Sequence, residues 1–222
     1  MTTKITELTS GTPALADIVP YVSDPGGTAI TKKSTVSSLL STTGLITVPL
    51  INSIPHKQLL VLGAKPTITS GCGASTQIEM GTNKNVYDYL PFDKDTVEYA
   101  YINVVLPQDF KPSATDIYAQ FYWTHPSTTT NFKVSWGIKG VCIANDETLD
   151  VVEGTAVYSN DEGGTTSDLY ISPLSAAITL AGTPAAGELC HLKFKRQADD
   201  ATNDTLAVDA YFIGVLLWYP VA

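Results

Sequence analysis

The C-terminal stretch Leu206–Tyr219 carries a long alternating pattern of hydrophobic residues. With a period of two, one face is apolar throughout and contains Leu206, Val208, Ala210, Phe212, Leu216 and Trp218. The other face begins polar and then becomes apolar at Ile213, Val215, Leu217 and Tyr219. The alternative is a buried helix, but the β-branched and aromatic content favours a strand. The pattern predicts a strand with one face in a core and the other covered by the N-terminal segment or a neighbouring subunit.

Similar alternation recurs along the chain. The segment 132–142 places Phe132, Val134, Trp136, Ile138 and Cys142 on one face, and Ile117–Thr124 and Glu188–Arg196 alternate in the same way. Turn signals rich in Gly, Pro, Asn and Asp separate these runs. Eight or more such strands predict an all-β domain over residues 51–222, a two-sheet sandwich of the jelly-roll type.

The first fifty residues differ from the rest. Ile18–Val22 and Thr31–Val36 flank the turn signal Asp24-Pro25-Gly26-Gly27, which predicts a small hairpin. Residues 1–50 are too few to bury a core of their own, so we expect this segment to dock on a partner.

The net charge of the chain and the length of its apolar runs argue against two classes of partner, nucleic acids and membranes. The net charge is −9 and the longest basic run is Lys32–Lys33, which argues against binding to nucleic acid. No apolar run is long enough to span a membrane, and the N-terminus has no secretory signal, so neither membrane insertion nor general secretion is expected.

The three cysteines, Cys72, Cys142 and Cys190, are odd in number and far apart. This spacing argues against a disulfide framework and predicts three free thiols in a protein made in a reducing cytoplasm.

Candidate catalytic or metal-binding groups do not form a recognisable motif. His56, His125 and His191 lack metal-ligand spacing, and neither a nucleophile elbow nor a phosphate loop is present. Acidic turns such as Asp199-Asp200 could bind Ca²⁺, but solvated turn carboxylates are the simpler interpretation. We therefore expect no enzyme activity, no cofactor and no metal. Several tyrosines could share one outer face and stack on sugar rings or bury a subunit contact: Tyr87, Tyr89, Tyr99, Tyr101, Tyr118 and Tyr122.

The N-terminal segment resembles the short docking segments of tailed-phage virion proteins. A K-I-[ST]-x-L opening, a V-P-x-V run and a T-x-K-x-[ST] run leading to a closing Leu are matched by Lys4, Ile5, Thr6, Leu8, Val19, Pro20, Val22, Thr31, Lys33, Ser34 and Leu39. The resemblance implies that this segment joins the virion. The docking residues we expect are Ile5, Leu8, Ile18, Val19, Tyr21, Val22 and Leu39.

The β domain resembles phage-encoded jelly-roll virion proteins over roughly its last 120 residues. The likeness lies in Ile102–Pro107, Val134–Ile138, Gly182–Leu189 and the acidic series from Arg196 to Ala210. It implies a homotrimer, for which the expected contact is Ile213, Val215, Leu217 and Tyr219.

Together these patterns predict a non-enzymatic phage structural protein, made in the host bacterial cytoplasm and located in the virion. A capsid decoration or head-fibre protein is the first hypothesis, with other virion proteins as partners. The alternative is a tail-fibre or receptor-binding module whose partner is a host surface glycan. A polysaccharide-cleaving enzyme is the third hypothesis.

Overall fold

The computed structural model describes residues 18–22, 31–35, 55–111, 117–127 and 131–221. The chain divides into two compact units, Met1–Ser53 and Ile54–Ala222. In the first unit, β1 (Ile18–Val22) pairs antiparallel with β2 (Thr31–Thr35), with Ile18 opposite Thr35. This pairing confirms the predicted hairpin. Among the residues proposed for docking, Ile5, Leu8 and Leu39 lie outside the described residues.

Among its described residues, the regular secondary structure of the second unit consists of strands, joined by turns and loops. They are β3 (His56–Leu62), β4 (Lys65–Pro66), β5 (Thr76–Glu79), β6 (Val86–Phe92), β7 (Glu98–Val105), β8 (Tyr118–Thr124), β9 (Phe132–Ile143), β10 (Val157–Gly163), β11 (Tyr170–Ile171), β12 (Leu189–Arg196) and β13 (Ala210–Pro220).

These strands form two antiparallel sheets that pack as a sandwich. The β12 sheet has the order β10-β9-β12-β7-β4, and the β13 sheet has the order β11-β8-β13-β6-β5, with β3 also paired to β13. From β6 to β13 the chain changes sheet at every connection except the β9–β10 hairpin. This order is that of a jelly roll, which confirms the predicted all-β fold.

The core is an aromatic cluster between the sheets. Trp136 of β9 is fully buried, and its ring centroid lies 5.3 Å from that of Phe92, 5.8 Å from that of Phe121 and 5.7 Å from that of Phe212. The three partner rings belong to the β13 sheet, whereas Trp136 belongs to the β12 sheet. The contacts of Trp136 therefore join the two layers. Edge-to-face and offset contacts of this kind stabilise a core beyond simple burial of area.

A bulge in β13 changes which of its side chains face the core. The pairing of β13 with β8 shifts between Phe212 and Gly214. A bulge adds one residue to a strand, so the alternation that follows is reversed. Val215, Leu217 and Tyr219 consequently point into the sandwich and are buried. The prediction that these three residues face a neighbouring subunit is wrong, because they are core residues, whereas Ile213 is only partly buried.

A buried ion pair ties the end of β12 to the segment before β13. Arg196 and Asp204 are 0 % and 1 % exposed, and Nη2 and Nε of the guanidinium donate to the two carboxylate oxygens at 2.7 and 2.9 Å. The remaining guanidinium protons reach the carbonyl oxygens of Phe92, Leu206 and Val208. All five donors of the guanidinium are therefore used, which allows a charge to be buried here.

The cysteines also differ from the sequence-based expectation. Cys142 of β9 lies directly opposite Cys190 of β12, their Cα atoms are 4.0 Å apart, and the two form a disulfide. Cys72 is free and buried. The expectation of three free thiols is wrong because the register of two strands, distant in sequence, places two cysteines side by side.

We expect Asp204→Asn to lower the free energy of unfolding by about 3–5 kcal/mol, because the Arg196 charge then stays buried without a counter-ion. Urea unfolding followed by tryptophan fluorescence measures this. Glu79→Ala is the control, since it removes one member of the exposed Lys84–Glu79 pair. We expect no measurable change from the control. Equal unfolding midpoints for the two variants would contradict a structural role for the buried pair.

Thiol titration tests the cysteine pairing. The denatured protein should show one reactive thiol without reductant and three after reduction, because only Cys72 is unpaired. Three thiols before reduction would show that Cys142 and Cys190 are not joined in the isolated protein.

Candidate functional site

The outer face of the β13 sheet carries an apolar groove of about 640 Å³. Its hydrophobic lining comes from five strands and two loops: Leu60, Leu62, Ile78, Met80, Tyr87, Tyr122, Leu169, Ile213 and Leu216. Leu60, Leu62 and Leu169 are each more than half exposed. A contiguous exposed surface of this composition is typical of a contact with another protein.

Gly214 in the β13 bulge lies beside two residues that line this apolar groove, Leu62 and Tyr122. Gly214 pairs with Leu62 of β3 on one side and with Tyr122 of β8 on the other. A Cβ atom at position 214 would lie 2.5 Å from a methyl carbon of Leu62. The absence of a side chain at position 214 therefore lets the Leu62 side chain pack against β13.

The tyrosines singled out in the sequence divide between the two sheets. Those on β6 and β8 alternate with core residues and face outward on the β13 sheet: Tyr87, Tyr89, Tyr118 and Tyr122. The ring of Tyr89 stacks on that of Tyr211, with centroids 4.1 Å apart. The two tyrosines of β7, Tyr99 and Tyr101, belong to the other sheet. Four of the six thus share one outer face, and two of them, Tyr87 and Tyr122, line the groove.

The outer face of the β12 sheet has the opposite character. The carboxylate of Glu153 forms ion pairs with Lys139 Nζ at 2.7 Å and with Lys193 Nζ at 2.8 Å, and His191 Nε2 lies 3.6 Å from it. Burial alone would raise the pKa of Glu153, but the hydrogen bonds from the two lysines outweigh it and lower the pKa. Glu153 is therefore held as a carboxylate, and it fastens the β9–β10 connection onto the sheet.

Burial shifts the pKa values of two groups in the sandwich, Cys72 and His125. Burial raises the pKa of the Cys72 thiol to about 12, so this thiol is protonated and unreactive. Burial also lowers the pKa of His125, which lies among the rings of Trp123, Phe132 and Tyr170. Among the described residues, no group of three or more His, Cys, Asp or Glu side chains is arranged to hold a metal ion. The same residues contain no helix long and apolar enough to cross a membrane.

Of the residues proposed for the subunit contact, only Ile213 lines the apolar groove. The others lie in the core, and a Val215→Asp change would place a carboxylate there. Leu60 and Leu62 of β3 take part in the groove although their strand is distant from β13 in sequence. Their exposed positions follow from the pairing of β3 with β13, which a local pattern does not reveal.

We propose that the apolar groove is the contact between copies of this chain. Leu62→Asp should then abolish self-association, because a carboxylate in the apolar groove would be desolvated without a partner. Light scattering coupled to size exclusion should find a homotrimer for the natural chain and a folded monomer for the variant. Val105→Asp is the matched control: Val105 is also an aliphatic strand residue 57 % exposed, but it lies in the β12 sheet. An unchanged trimer for folded Leu62→Asp, or a monomeric natural chain, would contradict this assignment of the contact.

Comparisons with known proteins add a remote likeness. No protein-family model and no curated protein matches the chain. Among solved structures, the chain is similar to one from the structure of infectious bursal disease virus Gx strain, with a TM-score of 0.33 and 12 % sequence identity. The matched region covers 93 % of this chain and 38 % of that chain, so this protein spans well under half the length of its neighbour. A likeness this remote carries no argument about function; the observed fold is an all-β sandwich in its own right.

Proposed function

We propose that this protein is a non-enzymatic structural component of a phage virion, a capsid decoration or head-fibre protein that docks through its N-terminal segment. The observation that carries the proposal is the division of the chain into a complete jelly roll and a separate small N-terminal unit. The motif resemblance of both parts to tailed-phage virion proteins supports the same role. A jelly roll alone would not, because this fold serves many functions.

The physical argument concerns where each part buries its apolar residues. The jelly roll closes a core of its own around Trp136, with aromatic side chains from both sheets. Residues 1–50 are too few to form an independent core. They nevertheless contain many large apolar or aromatic side chains, among them Ile5, Leu8, Leu15, Ile18, Val19, Tyr21, Val22, Val36, Leu39 and Leu40. Contact with another virion protein would stabilise the segment by about 25 cal/mol for each Å² of apolar area buried.

The apolar groove of the β13 sheet would then hold a second copy of the chain, within a homotrimer. Its exposed leucines and aromatic rim match the chemistry of a subunit contact. The trimer itself is implied by the resemblance to phage jelly rolls. In this proposal, residues 1–50 attach the protein to the particle, and the outer face of the β13 sheet binds other copies of the chain.

A tail-fibre or receptor-binding module is the second candidate. The observation in its favour is the polar and aromatic outer face of the β12 sheet, which contains side chains of the kinds that contact carbohydrates.

Particle incorporation tests the proposed attachment. A chain that starts at Pro55 should fold with an unchanged β-type circular dichroism spectrum but fail to join phage particles assembled without the natural protein. The full-length chain should join them. The double change Ile18→Asp with Val19→Asp should lower incorporation at least tenfold, because two carboxylates would replace apolar contacts.

Ser37→Asp with Ser38→Asp is the matched control, since it adds the same charge to polar positions of the same segment. We expect nearly full incorporation of this control. Decoration by the truncated chain at the level of the full chain would assign attachment to the jelly roll instead.

A further inference from the structure

A second depression, of about 620 Å³, lies on the β12 sheet, and we call it the polar concavity. Its floor is formed by β9 and β10, and its wall by the turn that follows β12. The lining residues are Ser135, Tyr158, Asn160, Gln197, Asp199, Asp200 and Asn203. Its volume is within the range of small-molecule binding sites, but its lining is polar apart from one aromatic ring.

Tyr158 supplies the aromatic surface. It pairs with Gly137 of β9, and a Cβ at position 137 would lie 3.0 Å from a ring carbon of Tyr158. Because Gly137 has no side chain, the ring can lie close to the sheet. Lys195 Nζ lies 4.9 Å from the ring centroid and helps to hold the ring in place. Tyr158 remains 41 % exposed, so an apolar surface is available at the edge of a polar site.

Gln197 supplies an acceptor that has no donor. Its Nε2 atom donates to Asp199 Oδ1. A carboxylate only accepts hydrogen bonds, so this contact fixes the orientation of the amide and directs Oε1 away from Asp199. Oε1 is buried and has no hydrogen-bond partner among the described residues. Buried acceptors in folded proteins are normally hydrogen-bonded, so a further donor beside Gln197 would be stabilising.

The carboxylates at the rim are already engaged by the turn. Asp200 accepts hydrogen bonds from Asn203 Nδ2 and from the backbone N–H groups of Thr202 and Asn203. These hydrogen bonds lower the pKa of Asp200, and the one from the Asn203 side chain has the largest effect. Asp199 is held by Gln197. The two carboxylates therefore shape the turn, and their negative charge disfavours an anionic ligand.

We propose that the polar concavity binds a neutral saccharide. The less polar face of a pyranose ring would pack on Tyr158, and its hydroxyls would exchange hydrogen bonds with Asn160 on the floor and with the side chains of the wall, Gln197 among them. Planar amides beside an exposed aromatic ring provide the two kinds of contact that a sugar offers: C–H groups on one face and hydroxyls around the edge. This inference goes beyond the proposed structural role and is independent of how the chain attaches to a particle.

A glycan array carrying neutral, sialylated and sulfated oligosaccharides tests the ligand class. The full-length chain should bind neutral hexose or N-acetylhexosamine glycans in preference to the anionic ones. Titration calorimetry with the best neutral oligosaccharide should then show at least a tenfold loss of affinity for Tyr158→Ala and for Asn160→Ala. Asn160 is exposed, so its variant tests the site even if the loss of Tyr158 disturbs folding.

Tyr101→Ala is the matched control, because Tyr101 belongs to the same sheet but stacks on His191 outside the polar concavity. Its affinity should stay within twofold of that of the natural chain. The proposal is overturned by the absence of neutral-glycan binding, by preference for anionic glycans, or by full affinity in folded Asn160→Ala. Tight calorimetric binding of CaCl₂ that Asn160→Ala abolishes would also overturn it, in favour of a cation site. Particle incorporation is measured separately, so failure here leaves the attachment proposal intact.

Discussion

Arg196 places a permanent charge between the two sheets, and the surrounding chain is arranged to neutralise it. Its guanidinium bonds both oxygens of Asp204 and three backbone carbonyls, one from Phe92 at the end of β6 and two from the segment that leads into β13. The backbone N–H of Ser135 in β9 donates to the same carboxylate. One buried pair thus joins both sheets and sets the path of the chain from β12 to β13. Loss of either partner would leave an unpaired charge in the core, which is the costly case.

Both candidate surfaces are built on this arrangement. The turn between Arg196 and Asp204 carries Gln197, Asp199 and Asn203, the wall of the polar concavity. The segment after Asp204 leads into β13, and the bulge of β13 lies at the apolar groove on the other side of the sandwich. The two outer faces differ in chemistry. The β13 sheet presents leucines and aromatic rings, whereas the β12 sheet presents lysines, a carboxylate and amides. In the proposed structural role, the outer face of the β13 sheet would be used for assembly and that of the β12 sheet would stay exposed.

The β13 bulge shows how one extra residue changes a functional assignment. In the sequence, the face beginning with Asp209 becomes apolar halfway along, which favours an outer contact for Val215 and Leu217. In the structure the apolar residues beyond the bulge are inside, since the strand has exchanged its faces. The outer apolar surface does exist, but Ile213, Leu216 and the leucines of β3 form it.

The sequence by itself determined the all-β class, the N-terminal hairpin and the inward faces of β8, β9 and β12, because the period of two is a local property of each strand. It also indicated the inward positions of Cys142 and Cys190. Only the tertiary structure decided that these cysteines meet, that β3 lies beside β13, and that Gly214 and Gly137 leave room for the side chains of Leu62 and Tyr158. Those features depend on which strands become neighbours and in which register. Long-range hydrogen bonding and core packing select both, and neither is encoded in the pattern of a single strand.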